Sequence, residues 1–247
     1  MWIARTCLAV LALGLSARAD EQKKAEEHHW SYAHGITPSH WGEVSPTCAT
    51  GTHQSPVALS TANAKAQSPE QPLEFSWSKS TGELVDTGHS EQVNLPPGNS
   101  ITYGGTRYEL LQFHFHTPSE HTLDGKAAPM EVHFVHKNAD GKLAVVGIFL
   151  KEGSASSPFA PVLTALPAAG EKRTVEVDLP AVLPKDTKHF AYSGSLTTPP
   201  CSEEVQWIVI RAPDTVSKKE IDAFRAKYPK NARPVQPLKG RTVAVAP

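Results

Sequence analysis

Gln112-Phe113-His114-Phe115-His116, answered fifteen residues later by Glu131-Val132-His133, is the stretch on which the reading of this chain turns. Side chains alternate between the faces of an extended strand, so His114 and His116 point one way and Phe113 and Phe115 the other. A metal-binding face is thereby backed by an apolar one. If residues 130–136 return antiparallel, His133 faces the same space and three imidazoles converge. Three neutral nitrogen donors leave the fourth tetrahedral position open, the pattern of catalytic zinc, whereas a structural site takes a fourth protein ligand. Gln112 and Glu131 each lie two positions before a histidine, on its face of the strand, where they can fix the ring nitrogen turned away from the metal. A bare His-x-His in a strand is more often a pair of half-buried histidines. The third histidine, with Gln112 and Glu131, turns the pattern into a Zn2+ site, although three imidazoles also suit other divalent ions.

Outward from that stretch, strand-like runs recur at 91–95, 107–116, 130–136, 143–150 and 205–210, rich in Val, Ile, Phe and Trp. Helix signals are few. Ser157-Pro158 opens a stretch with Phe159, Val162, Leu163 and Leu166 on one face, and Ser217-Lys218-Lys219-Glu220 is a capping box before Ile221, Phe224 and Tyr228. Residues 67–72 read as a surface turn, and the 21 prolines suit sheet and ordered loops. No repeat or long linker divides the chain. The expectation is a single, mainly β domain with short peripheral helices.

The N-terminus reads as a secretory leader over 1–19: Arg5 supplies charge, Cys7 to Leu15 form an apolar core, and Ala17-Arg18-Ala19 is a small-x-small cleavage site. A domain over 20–247 follows, opening on a polar lead-in at 20–27. Losing Arg5 and Arg18 leaves 22 Lys plus Arg against 25 Asp plus Glu, a mature charge of about −3. No basic stripe points to nucleic acid, and no later apolar run reaches the length that spans a bilayer. Periplasmic or secreted protein is the expectation.

Further motifs run nearly end to end: His29-Trp30-Ser31-Tyr32, His40-Trp41-Gly42, Gln54-Ser55-Pro56-Val57, Ser119-Glu120-His121, Gly147-Ile148-Phe149-Leu150, Gly194-Ser195-Leu196-Thr197-Thr198-Pro199-Pro200, Trp207, and Asn231-Ala232-Arg233-Pro234. With the histidine segment, this ordered set resembles the α-class carbonic anhydrases of the bacterial, exported kind. The resemblance implies one large twisted, mostly antiparallel sheet of about ten strands, with the metal at the floor of a cone. It implies reversible hydration of carbon dioxide to bicarbonate and a proton through hydroxide on zinc. Carbon dioxide and bicarbonate are then the small-molecule partners, and a monomer and a homodimer are both compatible with the sequence. A non-catalytic binding or adhesion protein on the same fold, or a zinc-dependent esterase, is the alternative.

The resemblance also distributes roles. Thr197 takes the hydrogen bond of the hydroxide and gives its own proton to Glu120; a hydroxyl has one proton, so a carboxylate that claims it leaves Thr197 only able to accept. Thr198 binds substrate oxygens, and Val135, Val145, Leu196 and Trp207 form an apolar wall for an uncharged substrate. His89 is the proton shuttle, with Gln92 and Tyr32 ordering water beside it; alone it would read as a turn histidine. His121 and His136 are buried, non-ligating histidines. Cys7 leaves with the leader, and relatives carry cysteines at Cys48 and Cys201, so these two are expected to bridge in an oxidising compartment. Thr87, where many relatives have asparagine, and Ala128, where they have an aromatic or histidine, depart from the family pattern.

Overall fold

The computed structural model describes residues 29–67, 71–153 and 157–246. The leader, the lead-in at 20–27 and the centre of the expected turn at 67–72 lie outside those residues. The described strands are β1 (Ala58–Leu59), β2 (Lys65–Ala66), β3 (Leu73–Ser76), β4 (Lys79–Asp86), β5 (Glu91–Asn94), β6 (Ser100–Tyr103), β7 (Thr106–His116) and β8 (Thr122–Leu123). They continue as β9 (Lys126–Ala127), β10 (Met130–Lys137), β11 (Leu143–Gly153), β12 (Lys172–Asp178), β13 (His189–Ser195), β14 (Glu203–Ser217) and β15 (Ala244–Val245). Three short α-helices accompany them, α1 (Thr47–Thr50), α2 (Ala160–Leu163) and α3 (Lys218–Lys227), along with 3-10 turns at Trp41–Glu43 and Leu179–Val182.

Twelve strands form one sheet, ten of them in the order β12-β4-β5-β7-β10-β11-β14-β13-β15-β2. The other two, β3 and β6, branch from β7 through β6, so the count exceeds the expected ten by this side ribbon. Within the large sheet only β11–β14 and β15–β2 are parallel. The helix expected from Ser157 shrinks to the single turn of α2, because Pro167 disfavours helical backbone at Leu166. The capping box forms as read: Ser217 Oγ accepts from the Glu220 amide, and the Glu220 carboxylate accepts from the Ser217 amide.

The alternation in β7 and β10 decides where the core sits. Phe113, Phe115, Val132 and Phe134 are fully buried on one face, against Phe159 and Phe224 of the α2 and α3 regions. Each such ring contributes about 1.5–3 kcal/mol relative to exposure. The opposite face carries the histidines and a second apolar cluster with Val135, Val145 and Trp207. A third cluster packs Trp41 against a Cys48–Cys201 disulfide with an S–S distance of 2.06 Å. That bridge lies at the C-terminal end of the 196–200 loop, where the Cys201 amide also donates to the Thr198 carbonyl. No helix among the described residues is long and apolar enough to cross a membrane.

Candidate metal centre and cavity

Sheet register builds the site. His133 on β10 lies directly opposite His114 on β7, Glu131 opposite His116, and Gln92 on β5 opposite His114. One row further along, Gln112, Val135, Val145 and Trp207 are neighbours across four adjacent strands. Gly147 on β11 pairs with His133. A Cβ at Gly147 would stand 2.9 Å from Glu131 Oε1, so glycine leaves that carboxylate its place.

Each of the three histidines has one ring nitrogen bound by the protein. His114 Nδ1 meets Gln112 Oε1 at 2.9 Å, His116 Nδ1 meets the Asn231 carbonyl at 2.7 Å, and His133 Nε2 meets Glu131 Oε1 at 2.9 Å. These partners are acceptors, so the bound nitrogens carry the protons. The lone pairs then sit on Nε2 of His114, Nε2 of His116 and Nδ1 of His133. Ligand atoms of the three residues lie within 4.8 Å of one another, and His116 Nε2 is buried with no hydrogen-bond partner. Burial lowers all three pKa values, that of His116 to about 4, so the rings are neutral at neutral pH. Three neutral, convergent nitrogens with their outer nitrogens fixed are the donor set that divalent zinc takes.

The groups behind the ligands are fixed in turn. Glu131 Oε2 accepts from the amides of Glu120 and His121, and Oε1 accepts from His121 Nδ1 at 2.7 Å as well as from His133. Burial alone would push this carboxyl up, but His121 and His133 hold it well below the usual carboxylate range. His121 Nε2 meets the Tyr192 hydroxyl at 2.7 Å, placing this histidine as a support and leaving His136 remote, bonded to the Phe134 carbonyl.

A cavity of about 320 Å³ opens above the three histidines. Val135, Val145, Leu196 and Trp207 line one part of it, and Thr197, Thr198, Gln92, Gln112, Tyr32 and His89 line the rest. Glu120 lies behind the wall. Its Oε1 accepts from the Arg233 amide at 2.7 Å, while Oε2 is buried without a partner. Against its burial, His133 pulls the Glu120 carboxyl down, with smaller pulls from the Thr197 hydroxyl and the Arg233 amide, although no hydrogen bond joins Thr197 to Glu120. Burial outweighs these pulls and pushes Glu120 up to about 7.

Thr87, at the rim, holds its own loop by donating to the Ser90 carbonyl at 2.8 Å and accepting from the Ser90 amide at 3.0 Å. Ala128 contributes its backbone, donating to Ser119 Oγ at 2.8 Å. Two residues without a role in the sequence reading prove central to the geometry. Asn231 supplies the carbonyl for His116 and also donates Nδ2–H to the His89 and Phe115 carbonyls. Trp30 stacks on the His89 ring, with centroids 3.6 Å apart. In the sequence, Asn231 and Trp30 carry no signal beyond their places in the motifs at 231–234 and 29–32.

A mostly antiparallel sheet that presents three neutral imidazoles to a half-apolar cavity defines the class: a candidate three-histidine metal centre. The chain belongs to the eukaryotic-type carbonic anhydrase family, whose model matches residues 36–246. A carbonic anhydrase of Pectobacterium carotovorum is 41% identical over 224 residues, covering 87% of this chain and 90% of the relative. One from Nostoc sp. is 39% identical, covering 97% and 94%. Among solved structures, the α-carbonic anhydrase of Thermovibrio ammonificans in complex with the inhibitor sulfanilamide superposes with a TM-score of 0.84. It is 38% identical, covering 87% of this chain and 98% of that one. The α-carbonic anhydrase of Photobacterium profundum gives a TM-score of 0.82 at 39% identity, covering 87% and 100%.

Proposed function

We propose that this chain is a zinc enzyme interconverting carbon dioxide and bicarbonate plus a proton, with His114, His116 and His133 holding the metal. The observation that carries this reading is the set of three unpaired ring nitrogens, one of them an orphaned buried atom, facing a single cavity. Zinc bound there would supply Lewis acidity that brings water to a pKa of about 7, the value of carbonic anhydrases, and positive charge that favours the carboxylate of Glu120.

This chain's own residues do the rest. Val135, Val145, Leu196 and Trp207 give an uncharged substrate a place where no polar group is desolvated in vain. With zinc bound and Glu120 a carboxylate, its unpartnered Oε2 would take the Thr197 proton, so that Thr197 Oγ accepts from the attacking oxygen and aims its lone pair, a positioning effect. Thr198 takes an oxygen of substrate or product. His89 carries the proton outward; burial lowers its pKa from the ordinary imidazole value, which keeps the ring neutral and able to accept. The disulfide suits a protein exported to an oxidising compartment, periplasmic or extracellular.

Metal analysis joined to stopped-flow hydration of carbon dioxide tests the reading. About one zinc per chain and fast hydration are expected, and His116→Ala should lose both together. Stoichiometric zinc without hydration would leave a binding protein, and preferential ester turnover would point to a hydrolase.

A further inference from the structure

His89 sits on the four-residue loop 87–90 that joins β4 to β5. The last residue of β4, Asp86, and the first of β5, Glu91, are cross-strand partners at the neck of this hairpin. Their side chains are 5% and 0% exposed. Two carboxylates directly opposite on adjacent strands repel, and burial sharpens the conflict. The Lys227 ammonium, from the last residue of α3, lies between them at 2.9 Å from Asp86 Oδ2 and 2.5 Å from Glu91 Oε1. Lys227 also donates to the Pro167 carbonyl, which ties it to the segment after α2.

The same carboxylate shapes the loop. Asp86 Oδ1 accepts from the Gly88 amide at 2.7 Å and from the Tyr228 hydroxyl. Gly88 adopts φ +78°, which glycine takes without penalty and which sets the direction of His89. Burial pushes the Asp86 carboxyl up, yet the bonds from Tyr228 and Lys227 outweigh it and keep it below its ordinary value. On the far side Asn231 holds the His89 carbonyl, so only the neck depends on α3.

We propose that Lys227, with Tyr228, staples the neck of the β4–β5 hairpin and so positions His89 for proton transfer. The inference rests on the shuttle reading of His89. Lys227 and Tyr228 are positioning residues; they act through Asp86 and Glu91 and touch neither the cavity floor nor the histidine triad. Without the ammonium, two facing carboxylates loosen the neck, and the loop spends less of its time with His89 at the distance that transfer needs.

The test compares wild type, Lys227→Met, Lys227→Arg, Tyr228→Phe and His89→Ala as zinc-loaded proteins in weak buffer. Lys227→Met should lower kcat by about three- to ten-fold while kcat/KM for carbon dioxide stays within about two-fold. Added imidazole should restore kcat, and Lys227→Arg should behave as wild type. Tyr228→Phe, the milder change, should show the same split with a smaller loss. If His89→Ala loses kcat but Lys227→Met and Tyr228→Phe do not, the staple is refuted and the shuttle stands. If kcat and kcat/KM fall together in Lys227→Met without imidazole rescue, its role is general support and the inference fails. An unchanged kcat in His89→Ala overturns the shuttle reading and the staple with it.

Discussion

The floor of the cavity and its rim solve the same problem, holding an imidazole in place, by different means. At the floor, His114, His116 and His133 stand on the interior strands β7 and β10, and register alone brings them face to face. Their outer nitrogens are locked by Gln112, Asn231 and Glu131, and the reverse faces of the strands are sealed by Phe113, Phe115 and Phe134. At the rim, His89 projects from a four-residue loop, stacked on Trp30, while the neck below it is clamped by Lys227. A metal needs fixed donors, and a strand pair supplies them. On the proposed reading His89 is a proton carrier, which needs access to both cavity and solvent, and a loop supplies that.

The largest effect that would sharpen this contrast belongs to the floor. Thr197→Ala should keep zinc, because it removes no donor nitrogen, yet cost about 10²-fold or more in kcat/KM, because orientation is lost. Zinc measured alongside activity decides it: loss of both would make Thr197 part of the metal's support. Next comes Gly147→Ala. A methyl group 2.9 Å from Glu131 Oε1 forces the carboxylate to shift and weakens its bond to His133. Zinc affinity should fall about 10- to 100-fold, as when an outer-shell partner is lost, and a chelator competition reads it directly. Unaltered affinity in a folded variant would mean that the floor tolerates more slack than its packing suggests.

The floor was legible in the sequence because its logic is local. His114, His116, Gln112 and Glu131 declare themselves by two-residue alternation, and only the antiparallel return of 130–136 had to be assumed. The fold class follows from the same alternation, while β4 and β12 are harder to read because each buries only two alternate positions among polar neighbours, Gly82 and Leu84 in one and Val175 and Val177 in the other. The rim was legible only through resemblance. Asn231 acts on His116 through its backbone carbonyl, which every residue type possesses, from 115 positions away. Lys227 and Glu91 are 136 positions apart, and nothing in either sequence neighbourhood marks the other as its partner. Trp30 reads as one aromatic among several until the structure lays it on His89.

The smallest predicted effect tests whether the rim tunes His89 as well as carrying it. Burial lowers the His89 pKa from its ordinary value, His29 lowers it further, and Asp86 pulls it back up. The groups facing the ring are His29 and Tyr32 from the N-terminal segment, with Trp30 between them, and Asp86 with Lys227 behind the loop. His29 lies stacked at 5.0 Å between centroids, close enough for it to lower the His89 pKa. In the hydration direction His89 must be neutral to accept, and a lower pKa keeps it neutral to lower pH. His29→Phe keeps a ring in the stack and removes the imidazole that lowers the His89 pKa, so that pKa should rise and the acid limb of kcat in weak buffer should move to higher pH. The acid limb of kcat/KM, which reports the free enzyme's nucleophile, should stay where it is. Raising the salt should shrink the difference between His29→Phe and wild type, since the interaction lies near the surface. A kcat limb that stays put, or moves to lower pH, would show that His29 leaves the shuttle's protonation alone, and the rim would then serve His89 by placement only.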